Sequence, residues 1–257
     1  MEHKDPSRFR VESRTTSREV DYRRDMEQYI ADAAGTLCEK MENFPKFVSR
    51  QSMARYMALY EIFKLVVPVQ GSIVECGVNW GGGLMMLAQL SAMLEPVNLQ
   101  RRIIGFDTFA GFAELDQADL QGASANQELK KGGYAADSFE DLQRCISLYD
   151  ANRFIGHVPK VCLVKGDASQ EIPRFLEQHP YTVVSLLHLD FDVYEPTKVA
   201  IEHFVPRMPK GAIIIFDELN NTSWPGETRA VLDSMKLGSL RIQRFPFEPH
   251  ISYAVLE

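Results

Sequence analysis

The spacing of apolar positions changes partway along the chain. From Asp25 onward, Met26, Tyr29, Ile30, Ala33, Leu37 and Met41 recur at three- and four-residue steps, the signature of one helical face. Phe44-Pro45 interrupts this pattern. Ser52 is then placed to N-cap a second helix, with Met53, Tyr56, Met57, Tyr60, Phe63 and Val67 on its inner side. Beyond residue 67 short, continuously apolar runs take over, at residues 72–78, 102–107, 161–165, 183–190 and 211–217. Helical patterns separate them at residues 83–94, 138–149, 169–178, 196–204 and 228–235; Ser138, with Asp141 three residues on, resembles a capping box. Apolar strands alternating with helices predict an α/β fold whose sheet is mostly parallel and covered on both faces. Two last runs, 240–245 and 251–256, have no helix between them and predict an antiparallel pair at the sheet edge.

Three segments are therefore expected: a polar tail over 1–24, a helical appendage or lid over 25–67, and a ligand-binding domain over 68–257. Residues 110–136, with Gly111, Gly122, Gly132 and Gly133 among polar neighbours, read either as an active-site lid or as a surface insertion.

Charge alters this picture. The 257 residues carry a net −7. Residues 1–24 hold seven basic and five acidic groups, +2, which leaves −9 on the rest. An acidic body excludes a general nucleic-acid phosphate binder. No apolar run approaches the ~18 residues of a membrane span, and the charged start lacks a signal-peptide core, so a soluble cytoplasmic protein is expected. The four cysteines, Cys38, Cys76, Cys145 and Cys162, show no C-x-x-C spacing and read as reduced thiols.

The acids concentrate where strands end. Glu75 lies in the first run, Asp107 ends the second, Asp167 follows the third, Asp190 and Asp192 follow the fourth, and Asp217-Glu218 closes the fifth. Ligands of open parallel sheets bind beyond the carboxyl ends of the strands, and so many acids on one rim call for something cationic there. The segment after the first strand reads E-x-G-x-x-x-G-G, from Glu75 through Gly77 to Gly81 and Gly82. Glycines there admit a ligand close to the backbone. A carboxylate inside the strand suits an amine better than a pyrophosphate. Asp107, at the end of the next strand, can accept hydrogen bonds from ribose hydroxyls. The pattern favours a nucleoside with a positively charged tail over a dinucleotide, which leaves an NAD-dependent oxidoreductase as a remote alternative.

The runs SIVECGVNWGGG, IIGFDTFAGF, VKGDASQEIP, LLHLDFDVYEPT and GAIIIFDELN resemble, in order and spacing, the macrocin O-methyltransferase family of class I methyltransferases. The resemblance implies a Rossmann-like fold and S-adenosylmethionine-dependent methylation of a hydroxyl on a sugar or other small natural product. It places Glu75, Gly77, Gly81 and Gly82 at the methionine end of the cofactor, and Asp107 with Thr108 at the ribose. Asp167 and Ala168 would meet the adenine. Asp190 would lie beside the cofactor and, with Asp217 and Glu218, ligate a divalent metal, usually magnesium. Asp192 would be the general base. The family has glycine, arginine and aspartate where this chain has Phe191, His188 and Glu218. Phe191 could narrow the pocket, and the longer Glu218 stem moves its oxygen.

Plainer roles stand beside these. Asp107 could be a turn residue, Asp167 a helix cap, Trp80 and Tyr194 packing residues. His157, His188, His203 and His250 lack metal-ligand spacing, with His157 a weak alternative base. A metal-independent N- or carboxyl-methyltransferase on the same scaffold is the alternative activity. The early amphipathic helices could pair two chains into a homodimer.

Overall fold

A computed structural model describes residues 15–124 and 126–257. The described residues form two compact units, divided between Met53 and Ala54.

In the first unit, α1 (Ser17–Asp32) and α2 (Leu37–Glu42) each open on a capping box, Thr16 with Glu19 and Thr36 with Glu39. Lys40 Nζ donates to the Ile30 carbonyl at 2.9 Å, satisfying an orphan acceptor at the end of α1. Two expectations are corrected here. The first helix begins at Ser17, inside the expected tail, because Thr16 and Glu19 cap it; residues 1–14 lie outside the described residues. The helix expected to run through Met41 stops at Asp32, and Gly35, at φ +101°, turns the chain into α2.

α3 (Arg50–Val66) crosses from one unit into the other. Its start is set by Ser49, whose Oγ accepts from the Ser52 N–H at 3.0 Å, so Ser52 is inside the helix and not its cap. Its buried face is Ala54, Ala58, Leu59, Ile62, Phe63 and Val66. Met57, Tyr60 and Val67, expected inside, are exposed: the buried stripe is rotated about one residue from the expected one.

The second unit is built on seven strands: β1 (Ser72–Cys76), β2 (Ile103–Asp107), β3 (Val161–Lys165), β4 (Val184–Leu189), β5 (Ile213–Phe216), β6 (Gln243–Arg244) and β7 (Ser252–Val255). Their order is β3-β2-β1-β4-β5-β7-β6. The first five pair in parallel; β7 runs antiparallel to both β5 and β6. The expected fold class and its antiparallel edge pair are thus present. Helices α4 (Gly82–Leu94), α5 (Gln117–Leu120), α6 (Phe139–Asn152), α7 (Ala168–Gln178), α8 (Tyr194–Phe204) and α9 (Pro225–Ser234) complete it. Strand order reverses between β1 and β4, the crevice where open α/β sheets bind ligands.

Strand alternation divides the core in two. Ile73, Leu186, Ile213 and Ile215 pack with α3 and α4, whereas Val74, Cys76, Leu187, Leu189 and Ile214 pack with α7, α8 and α9. At the amino ends of the strands, buried Arg101 ties the frame together. It pairs with Glu95 at 2.8 Å and donates to the carbonyls of Val66, Val67, Val69 and Gly71.

The capping box expected at Ser138 is absent: the Ser138 hydroxyl donates to the Asn79 carbonyl at 2.5 Å and fastens α6 to the glycine turn. Segment 110–136 holds α5 and is tied down. Asp119, buried, accepts the Tyr194 N–H at 2.7 Å, and Ser124 N–H donates to the Thr222 carbonyl at 2.8 Å. Phe112, Tyr134 and Trp224 form an aromatic trio with ring centroids 5.3–6.3 Å apart.

Candidate active site

Period-two alternation decides which acids meet. Glu75 and His188 are register partners on β1 and β4 and share the face of Ile73 and Leu186. Continuing the alternation past the strand ends carries Asp190 and Asp217 to that side. The backbone keeps these ends together: Asp190 N–H donates to Cys76 O at 2.8 Å, and Asp217 N–H to Leu189 O at 3.1 Å.

His188 stands at the centre, fully buried. Its Nε2 hydrogen-bonds Asp217 Oδ1 at 3.2 Å, and its Nδ1 lies 3.3 Å from Glu75 Oε1, an ion-pair contact without hydrogen-bond alignment. Burial opposes its charge, but Asp217 and Glu75 outweigh that and lift its pKa to about 10. Arg55, from α3, caps the cluster. Its Nη2 is 2.7 Å from Asp190 Oδ2 and its Nη1 2.7 Å from Asp217 Oδ1. Burial and the Asp217 charge push the Asp190 carboxyl up to about 8. Asp217 is held well below the ordinary range: burial works against its charge, and the Arg55 and His188 cations prevail. Burial also raises Glu75, whose Oε2 has no protein partner. A side chain at Gly83 would put its Cβ 2.1 Å from Glu75 Oε1, so glycine there lets the Glu75 carboxylate lie against the start of α4.

Asp192 sits on a strained turn. Its φ is +63°, and the Val193 N–H reaches back to the Phe191 carbonyl at 2.7 Å, the hydrogen bond of a γ-turn centred on Asp192. Burial, together with the charges of Asp190, Glu218 and Asp217, holds its carboxyl well above its usual range. Perturbed carboxyls and strained backbone concentrate at functional sites.

The remaining candidates fall in three places. Asp107 fastens the glycine turn: Oδ2 accepts from Val78 and Asn79 N–H at 2.8 Å each, and Oδ1 from Phe109 N–H at 2.6 Å. Three of the roughly four acceptor positions of its carboxylate are thereby used. Thr108 Oγ1 donates to Gly111 O at 2.6 Å. Gly77 (φ +103°) and Gly81 (φ +83°) take conformations that favour glycine, and Gly82 begins α4. Asp167 caps α7, accepting from Ser169 N–H at 3.0 Å, with Ala168 buried as the first helical residue.

Among the described residues, the ligand atoms that converge within 4.8 Å belong to His188, Asp190 and Asp217. Glu218 stands outside that set. Its carboxylate accepts from the Asn221 side chain, and its N–H donates to Glu227 at 3.0 Å. Glu227 is fully buried and its carboxyl is held well above the usual range by burial and by the charges of Asp217 and Glu218.

The sequence reading missed Arg55, Glu227 and the central place of His188. For His188 the signal was present, since it lies two residues before Asp190 on one strand face. Arg55 gave none, being 135 positions from Asp190.

Such a cluster, at the switch point of a sheet in this strand order, defines a class I methyltransferase. The macrocin-O-methyltransferase family profile matches residues 46–236, and the chain belongs to that family. A search of curated proteins finds no significant match. Among solved structures, CalS11, a calicheamicin methyltransferase, is 31% identical, with a TM-score of 0.89 over 96% of each chain. Its apo form, described as a TDP-rhamnose 3'-O-methyltransferase, gives 0.81 over 96% of this chain and 97% of that one. The O-methyltransferase NovP shares the fold at 19% identity, with a TM-score of 0.60 over 79% of each chain. The chain is thus a methyltransferase, of the O-methyltransferase type. Family membership removes the nicotinamide alternative.

Proposed function

We propose that this enzyme transfers a methyl group from S-adenosylmethionine to a hydroxyl of a sugar or other small natural product, assisted by a divalent metal. The observation that carries the reading is the gathering of Glu75, Asp190 and Asp217 around His188 at the carboxyl ends of β1, β4 and β5. CalS11, described as acting on a TDP-sugar, supports the sugar as acceptor.

Each residue then has a task. The unpartnered, buried Glu75 Oε2 is suited to the cofactor's ammonium. Asp107 holds the turn of Gly77, Gly81 and Gly82, and keeps capacity for one further donor, such as a ribose hydroxyl. Asp167 and Ala168 border the adenine, and Thr108 supports the bend after β2. Asp192, with its raised basicity, accepts the proton of the acceptor hydroxyl. The cofactor supplies an electrophilic methyl on a sulfonium, and positioning the acceptor in line with it provides much of the acceleration.

The donors fit a hard divalent cation, because Asp190 and Asp217 turn carboxylate oxygens to one point. His188, whose Nε2 hydrogen-bonds Asp217 Oδ1 at 3.2 Å, would orient that carboxylate. Glu218 would join by turning from Asn221. A bound magnesium ion would lower the pKa of the acceptor hydroxyl.

A second reading, metal-independent methyl transfer, is favoured by one observation: Arg55 already places a cation between Asp190 and Asp217. Retained turnover in chelator and after Asp217→Ala would select it.

Further parts of the proposal are a lid role for the N-terminal helices and for 110–136, a homodimer through α1 and α2, where Tyr22, Tyr29, Ile30, Leu37 and Met41 are exposed, and a cytoplasmic location, which the four free thiols suit. Among the described residues no helix is long and apolar enough to cross a membrane. The test is calorimetry with S-adenosylhomocysteine, then methyl transfer to TDP-sugars with and without magnesium. Absence of S-adenosylhomocysteine binding refutes the reading.

A further inference from the structure

Arg55 bridges the two carboxylates that a metal would have to share. Its fork meets Asp190 Oδ2 at 2.7 Å and Asp217 Oδ1 and Oδ2 at 2.7 and 3.0 Å. Both of Asp217's oxygens are thus engaged by one guanidinium, and His188 Nε2 holds Oδ1 from the other side. Around this point Glu75, Asp192 and Glu227 add further buried or half-buried carboxyl groups.

Asp190 Oδ2 and both Asp217 oxygens already accept from Arg55, so a divalent cation drawn to the same oxygens would sit within a few ångström of the guanidinium charge. The fork occupies three of the four oxygens of the pair, and like charges at such a separation repel. Arg55 also has the means to leave. Its side chain is 28% exposed, on a long flexible stem.

We propose that Arg55 is the built-in counter-ion of the Asp190–Asp217 pair, and that a divalent cation loads only by displacing it. This deepens, and rests on, the metal-assisted reading above. Arg55 is then a positioning residue: it keeps the two carboxylates convergent and compensated until the metal takes its place. Loading is an exchange of one cation for another, so the apparent metal affinity of the protein includes the work of breaking the Arg55 contacts.

The test uses the full chain without cofactor and reads Mn²⁺ binding by electron paramagnetic resonance. Arg55→Gln keeps a polar stem and removes the charge. It is expected to bind Mn²⁺ at least about tenfold tighter than wild type. It should also melt lower in chelator and recover more on adding Mn²⁺ than wild type does. Adding Asp217→Asn to Arg55→Gln should abolish the gain, which locates it. Equal or weaker Mn²⁺ binding by Arg55→Gln overturns the proposal, as does a gain that survives Asp217→Asn. Where Arg55→Gln does not fold, Arg55→Lys carries the test. A single ammonium cannot fork across two carboxylates, so binding should still tighten, and no gain overturns the proposal. Absence of Mn²⁺ binding in every variant also overturns it, while S-adenosylhomocysteine binding by the same samples leaves the methyltransferase reading standing.

Discussion

Gly77→Ala tests how tightly the end of β1 is coupled to the acid turn after β4. Gly77 has φ +103°, and a Cβ there would lie 1.9 Å from the Asp190 carbonyl oxygen and 2.7 Å from its carbon. Ordinary contact begins at 3.4 Å, so the Asp190 backbone must retreat by about 3.4 − 1.9 = 1.5 Å. Backbone cannot rotate away as a side-chain tip can, and the Asp190 N–H is bonded to Cys76 O, next to the substituted residue.

Two costs add. Placing a non-glycine residue at positive φ costs about 1–2 kcal/mol, and forcing a methyl into filled space about 1–3 kcal/mol. Gly122→Ala separates them, because Gly122 has φ +80° with nothing within 4 Å of its Cβ position. Gly122→Ala should therefore cost only the conformational part, and Gly77→Ala about 2–5 kcal/mol. At about 2–4 °C per kcal/mol for a chain of this size, melting should fall by about 2–8 °C and about 4–20 °C respectively. Function separates the variants further. Asp190 and Asp192 share the displaced turn, and a shift of about 1 Å at reacting groups costs about a hundredfold in rate. Thermal melts and methyl-transfer assays on both variants decide. If Gly77→Ala melts with Gly122→Ala and turns over like wild type, the coupling argued here is wrong.

Asp192→Asn should lower turnover by about 10²–10⁴ while leaving S-adenosylhomocysteine affinity unchanged, measured by steady-state rates and calorimetry. His188 binds its proton more tightly folded, at about 10, than at its ordinary 6.5, so its stabilisation is whole below pH 6.5 and is lost as pH rises through 10. Melts in chelator should show wild type losing stability across that window and His188→Gln losing less. Asp107→Ala strands the N–H groups of Val78, Asn79 and Phe109 and should weaken S-adenosylhomocysteine binding by about tenfold or more by calorimetry; unchanged binding would show that the turn stands without it. Arg101→Met leaves Glu95 buried without its cation, which costs about 3–5 kcal/mol in thermal melts, yet cofactor-product affinity should hold because Arg101 lies at the opposite ends of the strands.

The parallel strands were legible because each is apolar throughout and bounded by polar turn residues. The strand-end acids were legible because an open sheet brings the carboxyl ends of its strands to one rim. What escaped was set by partners distant in sequence. The Ser138 hydroxyl could have capped its own helix, but the Asn79 carbonyl competes for it. Residues 110–136 lack periodicity, yet Asp119 anchors them at Tyr194, 75 positions away. The buried stripe of α3 was misplaced by about one residue because Met, Tyr and Val are apolar enough to mark the wrong side, while the small Ala54 and Ala58 mark the close-packed one.

The same reasoning explains why Arg55 and the central place of His188 were missed while their acids were not. A rim of carboxylates was read as a demand for external cations. Taking such a rim out of water without compensation is prohibitive for the protein alone, since each buried charge costs several kcal/mol unpaired. The chain must therefore carry counter-ions that hold the site before any ligand arrives. Among the described residues, His188, on the same strand face as Asp190, and Arg55, from the helix packed over that face, answer that need. His188 is sealed inside and stays, whereas Arg55 is partly exposed and can be exchanged. An acidic strand-end cluster thus implies a basic residue on a covering helix, a search that sequence spacing alone does not prompt.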